Sequence, residues 1–172
     1  MNESNLLKLG KWILEIGKFR ICIVDDEEVY FPPLSLHMAD LAGYGKIERH
    51  MIIDEKLLTD LIENPRDVVI LDIINVCDKK IAKDGLAIAD LLYKRTKSYI
   101  VIKSAHSYVV GQWHKSYDYI ISDPNMLALD FVKELNIIVE DYLKRKTNFY
   151  GKILIKIGFF MIRKAKMPDI SF

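Results

Sequence analysis

Asp25 and Asp26 stand directly behind an apolar run, RICIV at residues 20–24, with Glu27 and Glu28 behind them. Asp72 closes a second run, DVVILD at 67–72, and Ser104 follows a third, YIVIK at 99–103. Carboxylates brought together repel one another, and three of them favour a hard divalent cation such as Mg2+. Ser104 adds a hydroxyl to that set. The chemistry implied is an acidic cation pocket, and it exists only if the fold draws these distant positions to one place.

The elements that could do so follow from the alternation of short apolar runs with helix-like segments, which is the pattern of a βαβ architecture. Strands are expected at 20–24, 47–53, 67–72, 99–103 and 117–121. Between them lie PPLSLHMADLAGYG, DEKLLTDLIENP, DGLAIADLLYKRTK and a short SYVVGQWHK, each with near-helical apolar spacing or a Gly or Pro that ends it. A long amphipathic segment, NMLALDFVKELNIIVEDYLKRK, follows Pro124. Successive apolar residues, as in VVIL, suit a parallel sheet covered by helices on both faces. In open sheets of this kind the functional crevice lies outside the carboxyl ends of the strands. If the first and third strands are neighbours, Asp25, Asp26 and Asp72 meet at that edge, and Ser104 joins them from the fourth.

Composition agrees with this class. The chain has 172 residues, of which 51% are hydrophobic and 28% charged, the balance of a globular protein with one core rather than a disordered chain. Net charge is +1, but unevenly placed: residues 144–172 hold eight basic residues against Asp169, or +7, which leaves −6 for residues 1–143. Cys22 and Cys77 lie in or beside apolar runs without metal-ligand spacing and are expected to be reduced thiols of a cytoplasmic protein. His37, His50, His106 and His114 likewise share no ligand spacing. Lysines and glutamates interrupt the N-terminal segment, so no secretion signal is expected, and the longest apolar cluster, ILIKIGFFMI at 153–162, is about half of a bilayer span.

Together these residues resemble the receiver domain of bacterial two-component response regulators. The resemblance covers roughly residues 19–143 and rests on five pieces in order. ICIVDDEE matches the first strand with its acidic pair, NPRDVVILDI the third strand with its acceptor, and DGLAIADLLYKR the helix that follows. VIKSAHS matches the fourth strand with its hydroxyl residue and YDYIISDP the fifth.

The resemblance implies a doubly wound α/β fold, with a five-stranded parallel sheet in the flavodoxin-like order 2-1-3-4-5. It implies that Asp72 takes a phosphoryl group from a histidine kinase or a small phosphodonor. Asp26, Asp72 and the backbone carbonyl of Ile74 would hold Mg2+, with Asp25 assisting through water. Ser104 would contact a phosphoryl oxygen, and Tyr119 matches the aromatic that turns inward when the fourth-strand loop moves. The product would be a signalling module acting through protein contacts, not an enzyme.

One position departs from the pattern. Receivers place a lysine just before the proline that follows the fifth strand, whereas this chain reads SDP, so Ser122 or Asp123 stands there. The segment INVCDKKIAKDG after Asp72 is also longer than usual and lacks a customary proline, and Lys79, Lys80 or Lys83 in it are candidates to replace the missing cation. The alternative reading is therefore a pseudo-receiver, an interaction module with the fold and without phosphorylation. A more distant one is a phosphohydrolase of the haloacid dehalogenase type, which places a second acid two residues after its nucleophile, as Glu27 follows Asp25.

The ends are expected to be extensions of that body: an N-terminal helix over 1–18 and a basic apolar tail over 144–172. Leu6, Leu9, Ile13 and Ile16 form one apolar stripe, suited first to packing on the same domain and second to a homodimer through the terminal helices. For GKILIKIGFFMIRKAK a protein contact is the first expectation, with peripheral contact to anionic membrane as another. Nucleic acid is not an expected partner, because the tail shows no recognition-helix pattern.

Overall fold

A computed structural model describes residues 19–26, 47–104, 116–122 and 126–146. The N-terminal stripe, the segments PPLSLHMADLAGYG and SYVVGQWHK, Glu27, Asp123 and residues 147–172 of the basic tail lie outside the described residues.

Five strands form the sheet: β1 (Ile21–Val24), β2 (Ile47–His50), β3 (Val68–Asp72), β4 (Tyr99–Lys103) and β5 (Tyr119–Ile121). All neighbours are parallel and the order is β2-β1-β3-β4-β5, as expected. Three described helices accompany them: α1 (Glu55–Glu63), α2 (Gly85–Arg95) and α3 (Ala128–Lys146). The first two begin where the sequence supplies a cap. Asp54 accepts a hydrogen bond from the Leu57 N–H at 2.7 Å, and Asp84 accepts one from Ala87 at 2.9 Å, so each helix start has one of its orphan donors satisfied.

The central strands are apolar at successive positions because both faces are covered. Ile21 and Ile23 of β1, Val68 and Ile70 of β3, and Tyr99 and Val101 of β4 pack with Phe131, Leu135, Ile138, Val139 and Tyr142 of α3. The alternate residues, Cys22, Val24, Val69, Leu71, Ile100 and Ile102, pack with Leu61 of α1 and Leu86, Ile88, Ala89 and Leu92 of α2. This strict alternation assigns each further residue of a strand to a face before its contacts are known.

Two strands are shorter than expected by more than one residue. β2 is an edge strand of half-buried residues that ends at His50; Met51 and Ile52 are exposed, and Ile53 instead makes an isolated parallel bridge to Cys77. β5 begins at Tyr119 because the Asp118 side chain accepts from the backbone N–H of Ile100 at 2.7 Å, tying the chain to β4 before the ladder starts.

α3 is fixed at the end of the sheet opposite Asp72. The Tyr142 hydroxyl donates to Asp67, the Tyr99 hydroxyl donates to Asp141, and the Arg145 guanidinium lies over the Tyr99 ring while pairing with Asp118. The helix thus runs three residues past 143, and Arg145 is bound to the sheet's own residues.

Candidate functional site

β1 and β3 pair with Ile21 opposite Val68 and Ile23 opposite Ile70, which carries Asp25 to the level of Asp72. β3 and β4 pair with Asp72 directly opposite Lys103. By alternation, Asp25, Asp72 and Lys103 continue the series that faces α3. They form a row across three neighbouring strands at the carboxyl end of the sheet, where such folds keep their functional crevice.

The side chains meet as that row requires. Carboxylate oxygens of Asp25, Asp26 and Asp72 all lie within 4.8 Å of one another. Asp25 is fully buried, Asp26 and Asp72 are half-buried, and Ser104 is buried beside them at the end of β4. The Asp25 N–H donates to the His50 carbonyl at 3.0 Å and the Ser104 N–H to the Ile121 carbonyl at 3.0 Å, so both are anchored by strand-like bonds to the next strand outward.

Lys103 joins the three acids from the end of β4. Its ammonium donates to Asp25 Oδ2 at 2.9 Å, and only 5% of the residue is exposed. Lys79, Lys80 and Lys83 are exposed on the β3–α2 segment, whereas Lys103 is the one lysine buried among the described residues. The signal was present in the strand itself. In YIVIK the lysine continues the series Tyr99, Val101, a buried face, and a lysine there must find a partner.

Burial pushes the Asp72 carboxyl above the ordinary carboxylate range, and the charges of Asp25 and Asp26 push the same way. The Ile73 N–H, which donates to Asp72 Oδ1 at 2.6 Å, and the nearby Lys103 charge pull it back. Asp72 is therefore a crowded carboxylate whose charge a cation would stabilise.

The segment after Asp72 is ordered rather than loose. Asn75 adopts a left-handed backbone, φ +56°, which Asn tolerates better than most residues, and Val76 and Cys77 turn into the core. The chain returns at Gly85, whose N–H donates to the Ile73 carbonyl at 2.9 Å. A Cβ on Gly85 would lie 2.0 Å from the Asp72 carbonyl oxygen, so glycine there lets α2 start directly against the end of β3. Ile74 lies in this turn, exposed, two residues beyond Asp72.

Tyr119 is half-buried on β5 and its hydroxyl donates to Glu134 of α3 at 2.8 Å. Burial and that bond to a carboxylate push its pKa up to about 12. Of the two positions open to the missing lysine, Ser122 is exposed.

No protein-family model and no curated sequence matches the chain. Its structure is similar to that of NtrX from Brucella abortus, with a TM-score of 0.58 and 22% identity over 74% of this chain and 28% of that one. It is also similar to the receiver domain of NtrX alone, with a TM-score of 0.54 and 21% identity over 70% of this chain and 98% of that domain. The chemotaxis response regulator CheY4 of Vibrio cholerae matches with a TM-score of 0.51 and 19% identity over 70% and 98%. The chain thus spans about 28% of the NtrX chain it resembles. Sheet order and these neighbours together define a doubly wound parallel α/β protein. More narrowly, the fold is that of a response-regulator receiver domain.

Proposed function

We propose that this chain is the receiver module of a two-component phosphorelay, accepting a phosphoryl group on Asp72 with the help of Mg2+ and acting through protein contacts. The observation that carries this reading is the convergence of Asp25, Asp26 and Asp72 at the carboxyl end of the sheet. The fold supports it, because CheY4 and the NtrX receiver are response-regulator proteins of the same architecture.

The donor set fits the metal. Mg2+ takes hard oxygen ligands at about 2.1 Å, so two ligands on opposite sides of it stand roughly 4.2 Å apart. Carboxylate oxygens within 4.8 Å of one another need only small side-chain rotations to reach that span. Asp26 and Asp72 would hold the ion with the Ile74 carbonyl, and Asp25 would assist through water. The ion would neutralise negative charge on the transferred oxygens.

In the transfer, an oxygen of Asp72 attacks phosphorus, and the bond from phosphorus to the donor's leaving group breaks as the new acyl phosphate bond forms. The Ile73 N–H holds the other Asp72 oxygen and so orients the nucleophile. Ser104, buried at the end of β4, would contact a phosphoryl oxygen, and Tyr119 would exchange its bond to Glu134 for an inward position as the β4 loop follows. A histidine kinase is the expected donor, with a further signalling protein as the reader. Among the described residues no helix is long and apolar enough to cross a membrane.

The exposed Ser122 favours a second reading, a pseudo-receiver that keeps the contacts and has lost the switch. Incubation with Mg2+ and acetyl phosphate separates the two. The receiver gains the mass of one phosphoryl group and Asp72→Asn does not, whereas an unmodified wild type establishes the pseudo-receiver.

A further inference from the structure

We propose that Lys103, on β4, is the phosphoryl-binding cation of this pocket: it holds Asp25 in the unmodified protein and turns to the phosphoryl oxygens once Asp72 carries them. This rests on Asp72 being the acceptor.

Three observations lead to it. First, position: Lys103 lies directly opposite Asp72 in the β3–β4 register, and it immediately precedes Ser104, so one strand end would deliver both cation and hydroxyl. Second, reach: β1 and β4 flank β3, two strand spacings of about 4.8 Å apart. An ammonium that leaves β4 and arrives 2.9 Å from Asp25 on β1 has crossed the level of Asp72 on the way. Third, cost: Lys103 and Asp25 are both buried, at 5% and 0% exposure. A buried ion pair is often no more stabilising than apolar residues of the same volume, so stability alone does not account for a lysine in this strand. A pocket that must receive an anion does.

The arrangement also makes Lys103 and Mg2+ rivals for the same carboxylates. With the ammonium in place the four side chains carry a net −2; without it they carry −3, and a divalent cation binds more tightly. The phosphoryl group, in contrast, loses a charged donor. Removing Lys103 therefore moves the two affinities in opposite directions, which loss of a merely structural residue does not do.

The test is calorimetric titration of the full chain with Mg2+, and then with beryllofluoride in saturating Mg2+, for wild type, Lys103→Met and Lys103→Gln. The glutamine amide can still donate to Asp25, so that variant keeps the fold if methionine does not. Expected is tighter Mg2+ binding in the variants and beryllofluoride binding weaker by about tenfold or more, the usual worth of a hydrogen bond to a charged group. Equal beryllofluoride affinity, or both affinities weakened together in a folded variant, overturns the proposal. In the wild type, the Lys103 Nζ resonance is expected to shift when beryllofluoride binds, and an unmoved resonance overturns the proposal without any substitution. A wild type that binds Mg2+ but no beryllofluoride overturns the acceptor reading itself, a result distinct from failure of Lys103 alone.

Discussion

Lys103 reaches from β4 across β3 to place its ammonium 2.9 Å from the carboxylate of Asp25 on β1. The pair joins the strands on either side of β3 at the level of Asp72. It also lowers the charge of the pocket, because the ammonium offsets part of the repulsion among the three acids.

Asp72 is pushed toward its neutral form by burial and by Asp25 and Asp26. Keeping it ionised at neutral pH therefore costs folding free energy. Asp72→Asn removes that cost and is expected to raise Tm. Thermal unfolding at pH 7 without divalent cations checks this, and a lower Tm for the variant contradicts it.

Mg2+ binding to the folded state alone raises Tm with concentration by mass action. The wild type is expected to gain stability as Mg2+ is raised, and Asp26→Ala to lose most of that gain, since Asp26 is one of the three converging acids. A Tm equally responsive in both proteins would place the cation elsewhere.

Gly85 leaves no room for a side chain. Its Cβ would meet the Asp72 carbonyl oxygen at 2.0 Å and the Val76 side chain at 2.9 Å. The first contact is with backbone, so relief requires α2 or the end of β3 to move. Gly85→Ala is expected to lose about 2–3 kcal/mol in denaturant unfolding, at the upper end of overpacking costs, and to weaken Mg2+ binding as well. A variant with unchanged midpoint would show that the helix start is not held against β3.

Alkaline pH acts on groups that folding keeps protonated. Burial pushes Cys22 up to about 12 from an ordinary 9.0, and Tyr119 rises to about 12 from 10.0. Tyr99 and Tyr142 also rise, through burial and their bonds to Asp141 and Asp67. For a raised pKa the stabilisation is complete below the unfolded value and is lost as pH climbs through the folded one. Tm is accordingly expected to hold from pH 7 to about 9 and to fall progressively above it. Native Cys22 is expected to resist alkylation at pH 8, where it is both buried and un-ionised. A Tm unchanged up to pH 11, or rapid labelling of Cys22, would contradict this.

Much of this structure could be read from local pattern. RICIV, DVVILD and YIVIK are buried on both faces and so show as unbroken apolar runs, and the capping Asp54 and Asp84 mark where helices start. The grouping of Asp25, Asp26 and Asp72 followed from assuming β1 and β3 adjacent, which the register bears out. What escaped were relationships set by distant partners. Residues 47–53 looked like a seven-residue strand, but β2 stops at His50 and Ile53 pairs with Cys77, in the segment that follows Asp72. Lys79, Lys80 and Lys83, the candidates to replace a missing cation, are exposed on the segment after β3, whereas the strand-terminal Lys103 is buried. Counting by twos from Tyr99 would have put its side chain on the same face as Asp72. Its choice of Asp25 as partner depends on three strands at once, which no single segment encodes.

The receiver reading depends on Asp72 accepting a phosphoryl group. The most direct measurement is mass spectrometry of peptides from the full chain after treatment with acetyl phosphate and Mg2+, followed by borohydride, which reduces an aspartyl phosphate to homoserine. Homoserine is expected at position 72 in the Mg2+ sample and is expected to be absent when the metal is chelated. An unreduced Asp72 under both conditions, or homoserine at Asp25 or Asp26 instead, would contradict it.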